Sequence, residues 1–508
     1  MKVDFTPLVR GRFVSLAKRT DRWAADSEDI QRSLLRTLLK RGKDTEYGRR
    51  FDYADIASSA DTYGRFASTV APVGYEEIRP MVMRMLKGEK NVLWRGGCRD
   101  FAQSSGTSGG VSKFIPVTDD SLRGNHYAGG ADTVAHYLRQ VPKSRLFAGK
   151  GFILGGSFSN TLGLEYGKVH VGDLSATLIN RINPVANLVR VPSKKIALMS
   201  DWEEKLPALV KAAMDEDVTN ISGVPSWFMT VLRKIMEAKG VDNIHEVWPN
   251  LEVFFHGGIS FPPYREEYLR IINPEKMHFL ETYNASEGFF AVQNDFSDHS
   301  MLLIIDRDIF YEFIPVDGND SQPRPIWDLE EGRIYEMLVT SSNGLWRYRL
   351  GDTVKVTQTA PVKIEVAGRT HSFINAFGEE LMEDNAEKGI AAACEATGSA
   401  IRNYTAAPVF AHDGRKGHHQ WLIEWDREPD DIHQFALRLD EALRGLNSDY
   451  DAKRSHSIFL DLPEIITAPA GHFDRWLKEE GSHKLGGQRK VARLHNDRLI
   501  MDKMLAMI

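Results

Sequence analysis

Across residues 151–294, short apolar runs of strand length alternate with segments of helical length, and this alternation confines the chain to an α/β architecture. Residues 208–214 and 227–237 read as helices. Residues 251–255 and 277–280 read as short buried strands, each running into a polar or glycine-rich loop. Ligands in open α/β sheets sit at the carboxyl ends of the strands, so the loops after these two strands are the first places to look for a site.

The flanking segments differ in pattern. Ahead of the block, Ile30, Leu34, Leu35, Leu38 and Leu39 share one helical face and Gly42 stops the helix, while residues 71–75 form a loop before another helix near 78–86. Behind it, residues 301–356 read as a mainly β subdomain closing the large domain. There 334–340 is a strand, Asn343-Gly344 a turn, 346–349 the return strand, and 353–356 a resumption after an interruption at Gly351-Asp352. The pattern resets after Ala367-Gly368-Arg369. Residues 401–410 and 419–425 are strand candidates around a His412-Asp413-Gly414 turn. Ile432, Phe435, Ala436, Leu439, Ala442, Leu443 and Leu446 form a helical stripe ending near Asn447; 457–460 reads as a strand and 473–478 as a short helix. His418-His419 reads as an exposed strand face rather than a metal site. The expected organisation is a large N-terminal α/β domain with its β subdomain (1–369), hinged at 368–370 to a small mobile C-terminal α+β domain (370–508).

Composition narrows the partners. The 508 residues are 42% hydrophobic and 26% charged, enough to build sizeable cores. A net charge of -6 with both signs dispersed disfavours nucleic acid, which rewards clustered Lys and Arg. Cys98 and Cys394, the two cysteines, are too few for a disulfide framework and lack metal-ligand spacing, which points to a reducing compartment. No basic-then-apolar leader is visible, and apolar runs such as 301–305 are too short to span a bilayer. A soluble, cytoplasmic monomer without a membrane partner is expected.

Five motifs can carry chemistry. Ser104-Ser105-Gly106-Thr107-Ser108-Gly109-Gly110-Val111-Ser112-Lys113 packs three glycines and five hydroxyl residues between apolar segments. Glycines let backbone amides approach an anion and hydroxyls add donors, so this is a phosphate loop rather than a linker; it is not a Walker A pattern. Tyr283-Asn284-Ala285-Ser286-Glu287-Gly288 offers an aromatic for a base, a hydroxyl for phosphate and a carboxylate for Mg²⁺, which takes a carboxylate or two together with substrate phosphates; alone, such a glutamate is also an ordinary solvated loop residue. His256-Gly257-Gly258-Ile259-Ser260 permits flat backbone contact with an adenine, or is a tight strand-to-helix turn. Tyr348-Arg349-Leu350-Gly351-Asp352 places a carboxylate where it can take both ribose hydroxyls, or is a β-bulge with a surface aspartate. Lys484-Leu485-Gly486-Gly487-Gln488-Arg489-Lys490-Val491-Ala492-Arg493 is a basic glycine-rich loop, able to present a lysine to an acyl phosphate or simply solvated.

The order of these motifs resembles the adenylate-forming superfamily, and within it the auxin-responsive Gretchen-Hagen family of acyl acid amido synthetases. Thr45-Glu46-Tyr47-Gly48, Pro72-Val73-Gly74-Tyr75-Glu76 and Arg84-Met85-Leu86-Lys87-Gly88-Glu89 look like that family's N-terminal signatures, so the resemblance runs from about residue 30 to the C-terminus. It implies that Ser104, Ser105 and Thr107 contact phosphates with Lys113 closing the loop. It implies that His256, Gly257 and Gly258 line the adenine with Tyr283 beside the base, that Ser286 contacts phosphate and that Glu287 holds Mg²⁺. It also implies that Asp352 binds the ribose, that Arg369 sits at the nucleotide, and that Lys490 is the mobile-domain lysine. Ala285 stands where plant members carry a serine, Ala492 stands where they carry a proline, and Asn375-Ala376-Phe377-Gly378-Glu379-Glu380-Leu381 departs from them, as in a distant bacterial-type member.

The implied reaction uses ATP and Mg²⁺, a carboxylic acid substrate and an amino acid acceptor. Two alternatives share the motifs: an acyl-CoA synthetase using the same first half-reaction, and a catalytically inactive nucleotide-binding regulatory protein. Residues 224–228 and 174–178 are candidate walls for the acid, although Trp227 and Phe228 read more readily as plain core.

Overall fold

The structure, a computed structural model, describes residues 4–104, 113–160, 162, 168–259, 261–316, 322–369, 373–411, 416–455, 460–479 and 491–508. These fall into two compact units, one of residues up to 369 and one from 373 onward.

In the first unit, β1 (Asp100–Ser104) and β2 (Lys113–Val117) are antiparallel, with Ser104 opposite Lys113. β3 (Lys150–Ile153) belongs to the main sheet, whereas β4 (His170–Gly172) runs parallel to β1 and completes a small three-stranded sheet. β5 (Arg190–Val191), β6 (Val218–Gly223), β7 (Val253–Gly257) and β8 (His278–Ala285) join β3 in a parallel array ordered β5-β3-β6-β7-β8. β9 (Gly288–Gln293), β10 (Met301–Leu303), β11 (Ile309–Pro315), β12 (Arg324–Pro325), β13 (Ile334–Ser341), β14 (Tyr348–Thr359) and β15 (Val362–Arg369) extend the same sheet in antiparallel fashion, in the order β9-β10-β15-β14-β13-β11-β12. The β region is therefore continuous with the α/β sheet, and the change from parallel to antiparallel falls at the β8–β9 turn.

Local chemistry explains the elements. In β7, Val253, Phe254, Phe255 and His256 are all buried, as expected of a parallel strand covered on both faces. The crossover helix Pro225–Lys239 starts with proline in its first turn and ends at Gly240 in the left-handed conformation. Helix Trp23–Gly42 buries Leu35, Leu38 and Leu39, and Gln31 rivets it to β11: its amide donates to the Ile305 and Ile309 carbonyls and accepts from the Tyr311 N–H.

In the second unit, β16 (Phe373–Ile374) and β17 (Leu381–Met382) form a hairpin. β18 (Ala400–Val409) and β19 (His418–Arg427) are antiparallel, and β20 (Glu464–Ala468) lies parallel to β19. Helices Glu383–Thr397 and Ile432–Leu446 cover this sheet, with Phe435, Leu439 and Leu443 buried against Trp421 and Ile423.

Several sequence expectations are corrected. β8 runs on to Ala285, so Tyr283-Asn284-Ala285 is strand rather than loop. β14 passes through Gly351-Asp352 without a break, because a bulge opposite Met337 absorbs the extra residues. His419 is not exposed: it faces the core, fully buried, with Nε2 2.8 Å from Glu379, whose carboxylate also accepts from the Ala376 and Phe377 N–H groups. The polar His418, on the opposite face of the strand, meets Glu464 at 3.1 Å. β20 is a strand the sequence reading did not place; of the expected strand at 457–460 only Leu460 is described, in a bridge to Gly417, and the expected turn at 412–414 lies outside the described residues. Among the described residues no helix is long and apolar enough to cross a membrane.

Candidate functional site

The carboxyl ends of β7 and β8 form one wall. Gly257 pairs with Thr282, and a Cβ on Gly257 would stand 2.3 Å from the Thr282 carbonyl oxygen, so only glycine allows the two strands to close there. Gly258 follows at φ +85°. The His256 ring faces the aromatic core, 4.2 Å from the ring of Phe261, and burial pushes its pKa down to about 3, so it is neutral. What the Gly-Gly turn offers a ligand is therefore backbone.

Tyr283 lies on β8 one residue beyond Thr282. Its hydroxyl donates to Asp352 Oδ2 at 2.6 Å. β9, β10 and β15 lie between β8 and β14 in the sheet order, so the sheet curls enough to bring these two motifs together. Asp352 also pairs with Arg369, the last residue of β15, whose side chain lies outside the described set. The β8–β9 connection is a two-residue turn, Ser286-Glu287, closed by the Ala285–Gly288 pair. Ser286 is half-buried and Glu287 is buried at 8% exposure.

The expected phosphate loop, whose residues 105–112 lie outside the described set, joins β1 to β2, where Ser104 and the buried Lys113 stand opposite each other. Ser105 and Thr107 lie outside the described residues, as does Lys490. The signature at 72–76 braces this hairpin. The Phe114 N–H of β2 donates to the Tyr75 hydroxyl at 2.8 Å, and the backbone of Val73 exchanges hydrogen bonds with Arg347 and Arg349 beside β14. Arg84 binds Glu46 and Glu89, tying the other two signatures together. The signature at 72–76 is therefore a structural support for β2 and the start of β14.

Two groups escaped the sequence reading. Asn343, read there only as a turn residue, donates from Nδ2 to the Glu287 carbonyl at 2.8 Å. Asn125 grips Phe289, donating to its carbonyl at 3.0 Å and accepting from its N–H at 2.7 Å. Neither partner is near in sequence, so no local signal marks them. Of the proposed acid walls, Phe228 is core, 5.3 Å from the rings of Phe152 and Phe254, while the ring of Trp227 lies 6.2 Å from that of Trp202. Leu174 and Leu178 pack against Ala102, Val117 and Leu122, next to the strands of the phosphate loop.

Comparison with known proteins adds the family. The GH3 family N-terminal domain matches residues 16–277, the GH3 family central domain 302–369 and the GH3 family C-terminal domain 384–499. Among relatives, the probable indole-3-acetic acid-amido synthetase GH3.1 of Arabidopsis thaliana is 23% identical, the alignment covering 75% of this chain and 74% of that protein. The 4-substituted benzoates-glutamate ligase GH3.12 of Arabidopsis thaliana is 23% identical over 82% of each. Among solved structures, the AtGH3.15 acyl acid amido synthetase in complex with 2,4-DB aligns at TM-score 0.61 and 19% identity, covering 100% of this chain and 97% of that one. A 2-hydroxyisobutyryl-CoA ligase in complex with 2-HIB-AMP and CoA aligns at TM-score 0.54 and 11% identity, over 95% and 91%. With its N-terminal, central and C-terminal domains all matched, the chain belongs to the GH3 family.

Proposed function

We propose that this chain is an ATP-dependent acyl acid amido synthetase, which adenylates a carboxylic acid with release of pyrophosphate and passes the acyl group to the amine of an amino acid, releasing AMP. The observation that carries this is the Tyr283–Asp352 hydrogen bond. It joins the aromatic we assign to the base and the carboxylate we assign to the ribose at the carboxyl edge of the sheet, beside the Gly257-Gly258 backbone and the Glu287 turn. The names of the relatives, amido synthetases and an acid–glutamate ligase, support the same chemistry.

In the first half-reaction a carboxylate oxygen attacks the α-phosphorus, forming the acyl–O–P bond as the bond to pyrophosphate breaks. Ser104, Ser105, Thr107 and Ser286 donate to the phosphates and Lys113 offsets charge at the loop base, holding the attack in line. The Gly257-Gly258 backbone, next to His256, lines the adenine; Tyr283 flanks the base and fixes Asp352 on the ribose, with Arg369 at the nucleotide. A single carboxylate, Glu287, stands at the phosphate end, and among the described residues no group of three or more His, Cys, Asp or Glu is gathered for a metal. That fits Mg²⁺, which takes one or two carboxylates together with phosphate and water oxygens. Mg²⁺ when bound supplies screening of the phosphate charge. In the second half-reaction the amine nitrogen attacks the acyl carbon, the C–N bond forms, the C–O bond to AMP breaks, and the amine loses its proton. Rotation of residues 370–508 about 368–370, carrying Lys490, separates the two halves and excludes water.

The test is a screen of carboxylic acids for acid-dependent ATP–pyrophosphate exchange, followed by AMP release with amino acids or with CoA. Exchange with acid alone and turnover only on adding an amino acid supports the proposal. Turnover that requires CoA assigns the chain to acyl-CoA synthesis instead, and no exchange with any acid leaves nucleotide binding without catalysis.

A further inference from the structure

The turn that carries Glu287 is held by long-range bonds, from two directions. From one side comes the segment that leaves the phosphate-loop strand β2. Thr118 follows β2 directly, and the chain then makes a π-helical turn, Leu122–His126. Such turns re-aim side chains out of helical register. This one delivers Asn125 to β9, where both halves of its amide are used on the backbone of Phe289, two residues after Glu287. Asn125 also donates to the Arg307 carbonyl at 2.9 Å, so the grip is anchored beyond the turn. The packing is close: a Cβ on Gly129, in the helix that follows, would stand 2.4 Å from the Phe289 ring.

From the other side comes the β13–β14 connection. Thr118 Oγ1 donates to the Ser342 carbonyl at 2.7 Å, which fixes this connection to the end of β2. The next residue, Asn343, is 1% exposed and spends its amide N–H on the Glu287 carbonyl. Its Oδ1 is buried with no hydrogen-bond partner among the described residues. Asn suits the turn at 341–344, but the turn alone does not call for its side chain to be buried with an acceptor unmet, which carries a cost. The bond to Glu287 accounts for the side chain being there.

We infer that Asn343 and Asn125 are positioning residues for Glu287, fixing the turn that carries the proposed metal-binding carboxylate to the segment that follows β2. The inference rests on the proposed role of Glu287. It extends that role by assigning to two asparagines the rigidity that a carboxylate on a two-residue turn needs to meet a metal with strict octahedral geometry.

The test measures Mn²⁺ binding by electron paramagnetic resonance in the presence of α,β-methylene-ATP, so that no turnover is involved. Asn343→Ala removes the clamp; Asn343→Leu removes it while keeping the volume, in case the smaller side chain disturbs folding. Both are expected to raise the half-saturating Mn²⁺ concentration by about tenfold or more, the range typical of losing a group that supports a metal ligand. Asn125→Ala is expected to act in the same direction. In a Glu287→Gln background, Asn343→Ala is expected to add little, because the group it positions is already gone. Wild-type Mn²⁺ affinity in both Asn343 variants, with Glu287→Gln weakened, overturns the positioning role while leaving the metal role of Glu287 intact. Wild-type affinity in Glu287→Gln overturns that metal role itself. Effects of Asn343→Ala and Glu287→Gln that multiply in the double variant overturn the coupling between them.

Discussion

Arg347 is the group whose removal is expected to cost the large unit most. It stands just before β14, and its guanidinium is fully spent: Nε and Nη2 meet Glu312 at 2.8 and 2.7 Å, and Nη1 donates to the Ala67 and Val70 carbonyls at 2.8 and 2.6 Å. Both partners of the ion pair are almost sealed from water, at 3% and 1% side-chain exposure. Arg347→Met keeps the length of the stem but strands the Glu312 carboxylate in the interior, with only the long 3.3 Å bond from Tyr63 left. Breaking a buried pair from one side costs about 3–5 kcal/mol. With an m-value on the order of 3 kcal/mol/M, the urea midpoint should fall by roughly 1 M or more. Tryptophan fluorescence reads it, since Trp346, the preceding residue, is buried at 1% exposure. Arg347→Met combined with Glu312→Leu should recover a large part of the loss, because no buried charge then remains unpaired. A loss under about 1 kcal/mol in the single variant, or no recovery in the double, would refute the view that the pair is a desolvated charge held only by its partner.

Other expectations concern the site. Tyr283→Phe removes the 2.6 Å hydrogen bond to Asp352, a charge-assisted bond of about 1.5–3 kcal/mol, so KM for ATP should rise by roughly tenfold or more; an unchanged KM would contradict a ribose-binding Asp352 fixed by Tyr283. Gly257→Ala would force a Cβ to within 2.3 Å of the Thr282 carbonyl, and is expected to lower the melting temperature and weaken nucleotide binding together; binding unaffected would show that the Gly-Gly turn is purely structural. Glu281, on β8, is raised from 4.5 to about 7 by burial and by Glu365, so the folded state holds its proton more tightly than the unfolded chain does. Its stabilising contribution is present below 4.5 and lost as pH rises through about 7, a change of about 3 kcal/mol. Thermal melts of Glu281→Gln should therefore show a smaller fall between pH 5 and 8 than the wild type; equal slopes would place the titration elsewhere.

What the sequence made legible followed from period. The stripe of Phe435, Leu439 and Leu443 and the helix over Trp227 were readable because one face of each meets a core, and the structure bears them out as Ile432–Leu446 and Pro225–Lys239. Strand ends were less readable. Tyr283-Asn284-Ala285 turns polar just where β8 approaches the site, and Gly351-Asp352 looks like a break because a bulge uses the same residues as a turn. The site motifs were visible as local clusters, but their assembly was not. Tyr283 reaches Asp352 across three intervening strands, Asn343 reaches Glu287 from a different hairpin, and Tyr75 props the phosphate-loop strand. Each is a single polar residue whose partner lies tens of positions away. His419 shows the converse: a histidine in a polar-looking pair is buried because strand alternation turns it toward Trp421 and the core, where its Nε2 meets Glu379.

The central claim is that a carboxylate attacks the α-phosphorus of ATP, and oxygen transfer tests it most directly. The enzyme is given ATP, an acid substrate found by the exchange screen and labelled with ¹⁸O in its carboxylate, and an amino acid acceptor. The recovered nucleotides and phosphates are then weighed by mass spectrometry. The expected result is one heavy oxygen in each AMP formed, with pyrophosphate unlabelled. Heavy oxygen in orthophosphate with ADP as the nucleotide product, or unlabelled AMP, would contradict the acyl adenylate.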